Sequence, residues 1–135
     1  MHPFFRSAKS MSAAGLSWLL ICAGAVTVNA LITNQSLPES AVLLIPAMIV
    51  EFLICISTWY ICRSFSLSKS NFIIILLKHI VSMVLLLAVW LLIINIYSIA
   101  LDQIFDSITW QEKFSTSLPL LCAIGFFLYF LSCLF

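Results

Sequence analysis

One residue in the sequence combines a type and a position that raise a chemical question. Glu51 lies inside an apolar run from about Ala41 to Cys62. An ionised group at the centre of a lipid-embedded helix costs roughly 2.5–3.5 kcal/mol or more. Such a carboxyl either stays neutral, because desolvation penalises the charged form, or faces a partner. The sequence offers Lys78 and His79 in a later apolar run, and Asn95 and Asn29 as neutral donors. Glu51, Lys78, His79 and Asn95 thus form a candidate intramembrane polar site. Its functional reading is a place for a proton, a cation or a ligand. Its structural reading is a neutral Glu51, hydrogen-bonded between helices and holding a bundle or a dimer together. Lys78 has a plain alternative role, with its stem in lipid and its ammonium reaching the headgroups. His79 can serve as a polar contact between helices, and pH sensing is chemically open to it.

Other chemistry is thin. The three glycines, Gly15, Gly24 and Gly125, form no phosphate-binding loop. No serine sits in a nucleophile elbow, and the only histidines are His2 and His79. The five cysteines, Cys22, Cys55, Cys62, Cys122 and Cys133, lie in apolar stretches without zinc-ligand spacing. They read as small packing residues. The connections on the side read below as outer contain no cysteine, which argues against a disulfide framework. The sequence implies no metal and no cofactor, and its 135 residues hold no catalytic motif.

The elements that would position Glu51 follow from composition. Hydrophobic residues make up 64% of the chain and charged residues 8%, against about 25% charged in a soluble domain. Six basic and five acidic residues cannot coat a water-facing globule of this size. A net charge of +1 gives no footprint for nucleic acid. Four apolar runs appear, at about 12–33, 41–62, 72–99 and 115–135. Each meets the roughly 20 residues needed to cross a hydrocarbon core. They are continuously apolar rather than alternating, so they predict helices and not a barrel. The expected fold is all-α: a polytopic membrane protein of one domain, 1–135, with four transmembrane helices in a bundle. Pro46 and Pro119 read as residues near helix starts rather than hinges.

Basic residues set the orientation. Arg6 and Lys9 precede the first run, and Arg63 and Lys69 lie between the second and third, with Lys78 on the same side. Glu39, Asp102, Asp106 and Glu112 lie on the other side, with Lys113 as the single cation. The rule that basic loops stay inside predicts both termini in the cytoplasm. Trp18, Trp59, Tyr60 and Arg63 then read as inner-interface anchors, and Tyr97 and Trp110 fall near the outer interface. A cleavable leader ending near Val28-Asn29-Ala30 is the alternative for the first run, but the run is long for one. A lipoprotein site at Cys22 would need a small residue where Ile21 stands.

Several of these residues also carry a resemblance. Met1-His2-Pro3 is followed by a basic patch and an early tryptophan, Trp18. The second run ends Phe52-Leu53-Ile54-Cys55-Ile56-Ser57-Thr58-Trp59-Tyr60-Ile61-Cys62-Arg63, then Ser64-Phe65-Ser66-Leu67. The third opens with Lys78-His79 and carries Trp90. The fourth carries Leu118-Pro119-Leu120, Gly125 and Leu128-Tyr129. Together this resembles the amino-terminal membrane region of LytS-type sensor histidine kinases, the class partnered with LytTR response regulators. The resemblance spans essentially the whole chain, and its most specific piece is the run from Phe52 to Arg63. It implies that the fourth helix leads into a cytoplasmic dimerisation helix with a phospho-accepting histidine, followed by an ATP-binding domain. Neither lies within these residues, and no histidine here matches the phosphoacceptor motif. Glu51 departs from the pattern, which has an apolar or aromatic residue there.

The expectation is therefore a non-catalytic membrane input module in the bacterial inner membrane. It would be surrounded by lipid, paired as a homodimer, and linked to a response regulator only through a kinase core. Two rivals come from other classes: a small four-helix transporter or channel using Glu51, and an accessory protein acting by binding a larger membrane partner. Glu51→Gln separates the two readings of the polar site. A proton site predicts that the protein's response to pH is lost in this variant. An unchanged response removes that reading.

Overall fold

The computed structural model describes residues 8–64, 72–105 and 109–134. It is all-helical over these residues, with α1 (Ala8–Thr33), α2 (Leu37–Ser64), α3 (Phe72–Ile104) and α4 (Trp110–Leu134). At 1.5 Å per residue the helices run from about 38 to 50 Å, beyond a core of roughly 30 Å. All four are long and apolar enough to span a membrane, so the chain is a multi-pass membrane protein by length and composition. Its outer surface fits that medium. Large apolar side chains stand exposed along every helix, among them Leu19, Leu31, Leu53, Ile73, Leu85 and Phe127. In water such a surface would drive association; against lipid it needs no cover.

α2 and α4 start earlier than the apolar runs predict, and local chemistry explains both shifts. The connection after α1 is Asn34–Ser36. Asn34 takes a left-handed conformation, φ 53°, which asparagine tolerates and which closes a helix C-terminus. α2 starts at Leu37, a turn before Ala41. Ser36 and Glu39 have the S-x-x-E spacing of a capping box, and the Glu39 carboxylate accepts the Ser36 N–H at 3.1 Å. Pro38 fits in this first turn, where its missing N–H would have had no partner. α4 starts at Trp110 rather than Ser115. Thr109 and Glu112 repeat the spacing, and the Thr109 hydroxyl donates to Glu112 at 3.0 Å. Asp102 reaches across from α3 and accepts the backbone N–H groups of Trp110 and, at 3.2 Å, Gln111. A carboxylate on the first N–H groups of a helix is favoured both by hydrogen bonding and by the helix dipole. α3 correspondingly runs on to Ile104 rather than Ile99, and α1 already begins at Ala8.

These shifts change the reading of the prolines. Pro46 and Pro119 stand well inside α2 and α4. An interior proline leaves the carbonyl four residues earlier without its helical donor. For Pro46 that carbonyl is Val42, and the Tyr97 hydroxyl of α3 donates to it at 3.1 Å.

α2 is the element the others share. It packs against α1, α3 and α4; α4 also meets α1 and α3, whereas α1 and α3 share no contacts among the described residues. Leu43, Leu44, Met48, Trp90, Ile94 and Leu121 are essentially inaccessible and form the centre. Two indoles tie this centre to the α2 backbone. Trp90 of α3 donates to the Ala47 carbonyl at 2.8 Å and Trp18 of α1 to the Met48 carbonyl at 3.2 Å. Trp18 also packs on Phe52, with ring centroids 5.1 Å apart. Its indole is therefore engaged within the protein. Tyr60 is exposed near the end of α2. Arg6 and Lys69, and the side chains of Lys9, Trp59 and Arg63, lie outside the described residues, as does Asp106.

If Tyr97 answers the carbonyl that Pro46 orphans, Tyr97→Phe should cost about 1–2 kcal/mol in the wild-type chain. It should cost clearly less in a Pro46→Ala background, where residue 46 supplies its own N–H. Unfolding of the four variants in detergent micelles measures this coupling; strictly additive losses would refute it.

Candidate functional site

Glu51 sits on the face of α2 that turns toward α3 and α4, and the residue is only 4% exposed. It lines an intramembrane cleft with Ile54 and Thr58 of α2, Met83, Leu86 and Leu87 of α3, and Gly125 and Tyr129 of α4. The cleft offers about 10 Å³ to the centre of a water-sized sphere, close to the minimum that holds one water. It is a small polar notch in an apolar wall, too small for an organic ligand without movement.

Each side chain is placed by a simple local rule. Glu51, Cys55 and Thr58 recur at the four- and three-residue spacing of one helix face. The Cys55 thiol points at a Glu51 carboxyl oxygen, 3.9 Å away. The Thr58 hydroxyl donates to the Ile54 carbonyl at 2.9 Å, so its own helix already uses its proton. Gly125 makes the close approach of α4 feasible. A Cβ there would come within 2.6 Å of Leu87 Cδ1 and 3.0 Å of the Trp90 ring, so a side chain at this position would displace the Leu87 methyl and crowd the indole.

Tyr129 connects the cleft to His79. Its hydroxyl donates to the His79 backbone carbonyl at 3.0 Å and lies 3.2 Å from His79 Nδ1. Because the hydroxyl proton is given to the carbonyl, the oxygen accepts from an N–H at Nδ1. Cys133, one turn along α4, places its sulfur 4.0 Å from the same nitrogen. Glu51 and His79 are thus brought to one region, joined through a tyrosine that lines the cleft.

The remaining expected site residues lie elsewhere. Lys78 is exposed on α3 and is not among the residues lining the cleft. Asn95 is half-buried farther along α3, where its carbonyl accepts the Ser98 hydroxyl at 2.8 Å. It too is absent from the cleft lining. Asn29 joins a separate polar group, donating to Ser40 Oγ at 3.2 Å near the α1–α2 connection. That region also holds the Lys113–Glu39 ion pair, 2.7 Å, which links α4 to α2. Tyr129, Cys55 and Thr58 were not singled out from the sequence. The helical spacing from Glu51 to Cys55 and Thr58 was available there, but the contact of Tyr129 with His79, fifty residues away, leaves no local signal.

Among the described residues no group of three or more His, Cys, Asp or Glu side chains could hold a metal ion. No disulfide joins Cys22, Cys55, Cys122 and Cys133 to one another. What the arrangement can do chemically is hold a proton on a carboxyl, offer it one small polar neighbour, and respond to how α4 packs. Tyr129→Phe keeps the ring and removes both links to His79. It should lower stability by about 1 kcal/mol and raise amide exchange around residue 79. Unaltered exchange there would mean that the tyrosine does not hold α3.

Comparison with known proteins finds no matching family model, no matching curated protein and no matching solved structure.

Proposed function

We propose that the chain is the membrane-embedded input module of a two-component sensor histidine kinase. It would sit in the bacterial cytoplasmic membrane as a four-helix bundle, with both termini inside and a second copy as its partner. The observation that carries this reading is the composition of the cleft wall. α2, α3 and α4 all contribute, and α4 supplies Gly125 and Tyr129. A change in the cleft that alters the fit of Gly125 against Leu87 and Trp90 would be felt at the contact between α4 and α3. The far end of α4 is where an output domain would attach.

The resemblance of Phe52 to Arg63 and of the surrounding sequence to LytS-type kinases supports the same reading. So do the basic residues flanking α1 and the α2–α3 connection, which favour an inside location for both termini. In mechanism, two packings of α4 against α2 and α3 differ by a small free energy. A stimulus shifts their populations only by as much as it prefers one of them. The short connections between α1 and α2 and between α3 and α4 disfavour a large soluble ligand. The membrane itself, a small membrane-soluble species or a proton fits better. A response regulator would be reached only through a kinase core outside these residues.

A second reading has one observation in its favour. A buried carboxylate lining an intramembrane notch also suits a small proton-coupled transporter. Substrate-dependent proton flux in proteoliposomes, abolished by Glu51→Gln, would establish it.

The input-module reading is tested by the coding frame beyond codon 135 and by the mass of the native protein. Continuation into a helix with a phosphoacceptor histidine and an ATP-binding domain is expected, with autophosphorylation of the full protein in membranes. A stop codon after Phe135 and a native mass near 15.1 kDa would overturn it.

A further inference from the structure

The surroundings of Glu51 are not symmetric along the membrane normal. One side runs toward the α1–α2 and α3–α4 connections, where Glu39, Asp102 and Glu112 lie; the other runs toward the start of α3, where Lys78 lies. Toward the acidic side the interior is filled. Leu43, Leu44, Met48, Trp90, Ile94 and Leu121 are all at most 1% exposed. The Trp90 indole is fastened to the Ala47 carbonyl, one turn from Glu51, and Gly125 lets its ring lie flush against α4. No polar side chain of the cleft lies on that side. Toward the basic side the lining changes character: Cys55, Thr58, Tyr129, His79 and Cys133 follow one another.

We propose that Glu51 is a proton-exchange site that communicates with the basic end of the protein alone, on the side of Tyr129 and His79. This names the proton as the species that the input module's cleft takes up; its meaning as a signal rests on that reading, but the exchange itself does not.

The chemistry needs only proton transfer and one water, for which the cleft has room. A proton from the basic side adds to His79 Nε2, and the ring gives its Nδ1 proton to the Tyr129 oxygen as that hydroxyl, turned from the His79 carbonyl, passes its own proton through the water to a Glu51 carboxylate oxygen. The net change is one proton moved inward and one carboxylate neutralised, with tyrosine restored and histidine left as its neutral Nε2–H tautomer. The reverse order empties the site. The titratable groups on the basic side of Glu51 are Cys55 of α2, His79 of α3 with Lys78 exposed beside it, and Tyr129 and Cys133 of α4; toward the acidic side lie Cys22 of α1, Tyr97 of α3 and Cys122 of α4, none of which lines the cleft. The acidic side contributes no titratable group between Glu51 and the Glu39–Lys113 pair among the described residues of α2. Uptake would neutralise a buried charge and so favour tighter closure of α4 on the cleft. Release would charge it and favour a looser, wetter packing.

The test uses the wild-type full chain in right-side-out and inverted membrane vesicles, with luminal and bath pH set independently. The probe is dicyclohexylcarbodiimide, a membrane-permeant reagent that adds to protonated carboxyls, and mass spectrometry reads its adduct on Glu51. Modification should fall several-fold when the basic side is taken from acidic to alkaline pH. It should stay constant when only the acidic side is changed. Modification that follows the acidic side, ignores both sides, or never occurs would overturn the inference. None of these outcomes bears on whether the full protein autophosphorylates, so the two proposals can fail separately.

Discussion

The structure depends on how α2 satisfies its backbone in an apolar medium. Pro46 removes one helical donor, and in lipid there is no water to replace it. Tyr97 fills the gap at Val42, and two indoles add bonds at the neighbouring Ala47 and Met48 carbonyls. Three donors from two other helices therefore converge on one stretch of α2. Indole and phenol groups bury large apolar surfaces but carry a polar atom that must be paired. At Val42 the phenol meets the carbonyl that Pro46 leaves without a donor, while at Ala47 and Met48 the helix carbonyls accept the two indole N–H groups. Helix association in lipid gains little from burying apolar surface, because the tails are as apolar as leucine. Directional bonds of this kind then fix which faces of α1 and α3 meet α2.

The two ends of the protein are held differently. At the acidic end, carboxylates do the work of loops: Glu39 on Ser36, Glu112 on Thr109, and Asp102 on the first N–H groups of α4. Glu39 serves twice, since it also pairs with Lys113 of α4. The acidic residues that set the charge asymmetry are thus structural caps, and the short connections leave α1–α2 and α3–α4 little freedom to separate there. Toward the start of α3, Tyr129 and Cys133 of α4 meet His79 through side-chain contacts. Such contacts are easier to rearrange than a set of capped turns. Relative motion of α4 should therefore be largest at the end away from the caps.

Much of this was legible in the sequence, for identifiable reasons. Continuous apolar runs report a solvent, so the number of helices and their membrane-spanning length could be read directly. Glu51 stood out because a charge among apolar residues is costly wherever it goes, and it is indeed buried. Helix starts were placed too late because hydropathy was followed where S-x-x-E and T-x-x-E spacing marked the boundary. That same error made Pro46 look like a terminal residue and hid the role of Tyr97. Lys78 and Asn95 share with Glu51 a polar side chain in an apolar run. That property does not give a residue's azimuth on the helix, and neither residue lines the cleft. Tyr129 could not be found at all, because a contact between α3 and α4 depends on how two helices rotate against each other.

Gly125 shows how this rotation is set and why the cleft exists. A glycine within a helix interior weakens it by about 1 kcal/mol relative to alanine, so its presence asks for a reason. Here the missing side chain lets Leu87 and Trp90 reach the α4 backbone. That contact draws α4 against α3 on the acidic side of Glu51 and seals the interior. One turn farther on, Tyr129 brings a full aromatic ring to the same face of α4, lining the notch beside the carboxyl. A small residue followed by a large one thus borders the cleft on α4. Glu51 lines the same cleft, where a change of one charge has the greatest leverage on the packing of α4.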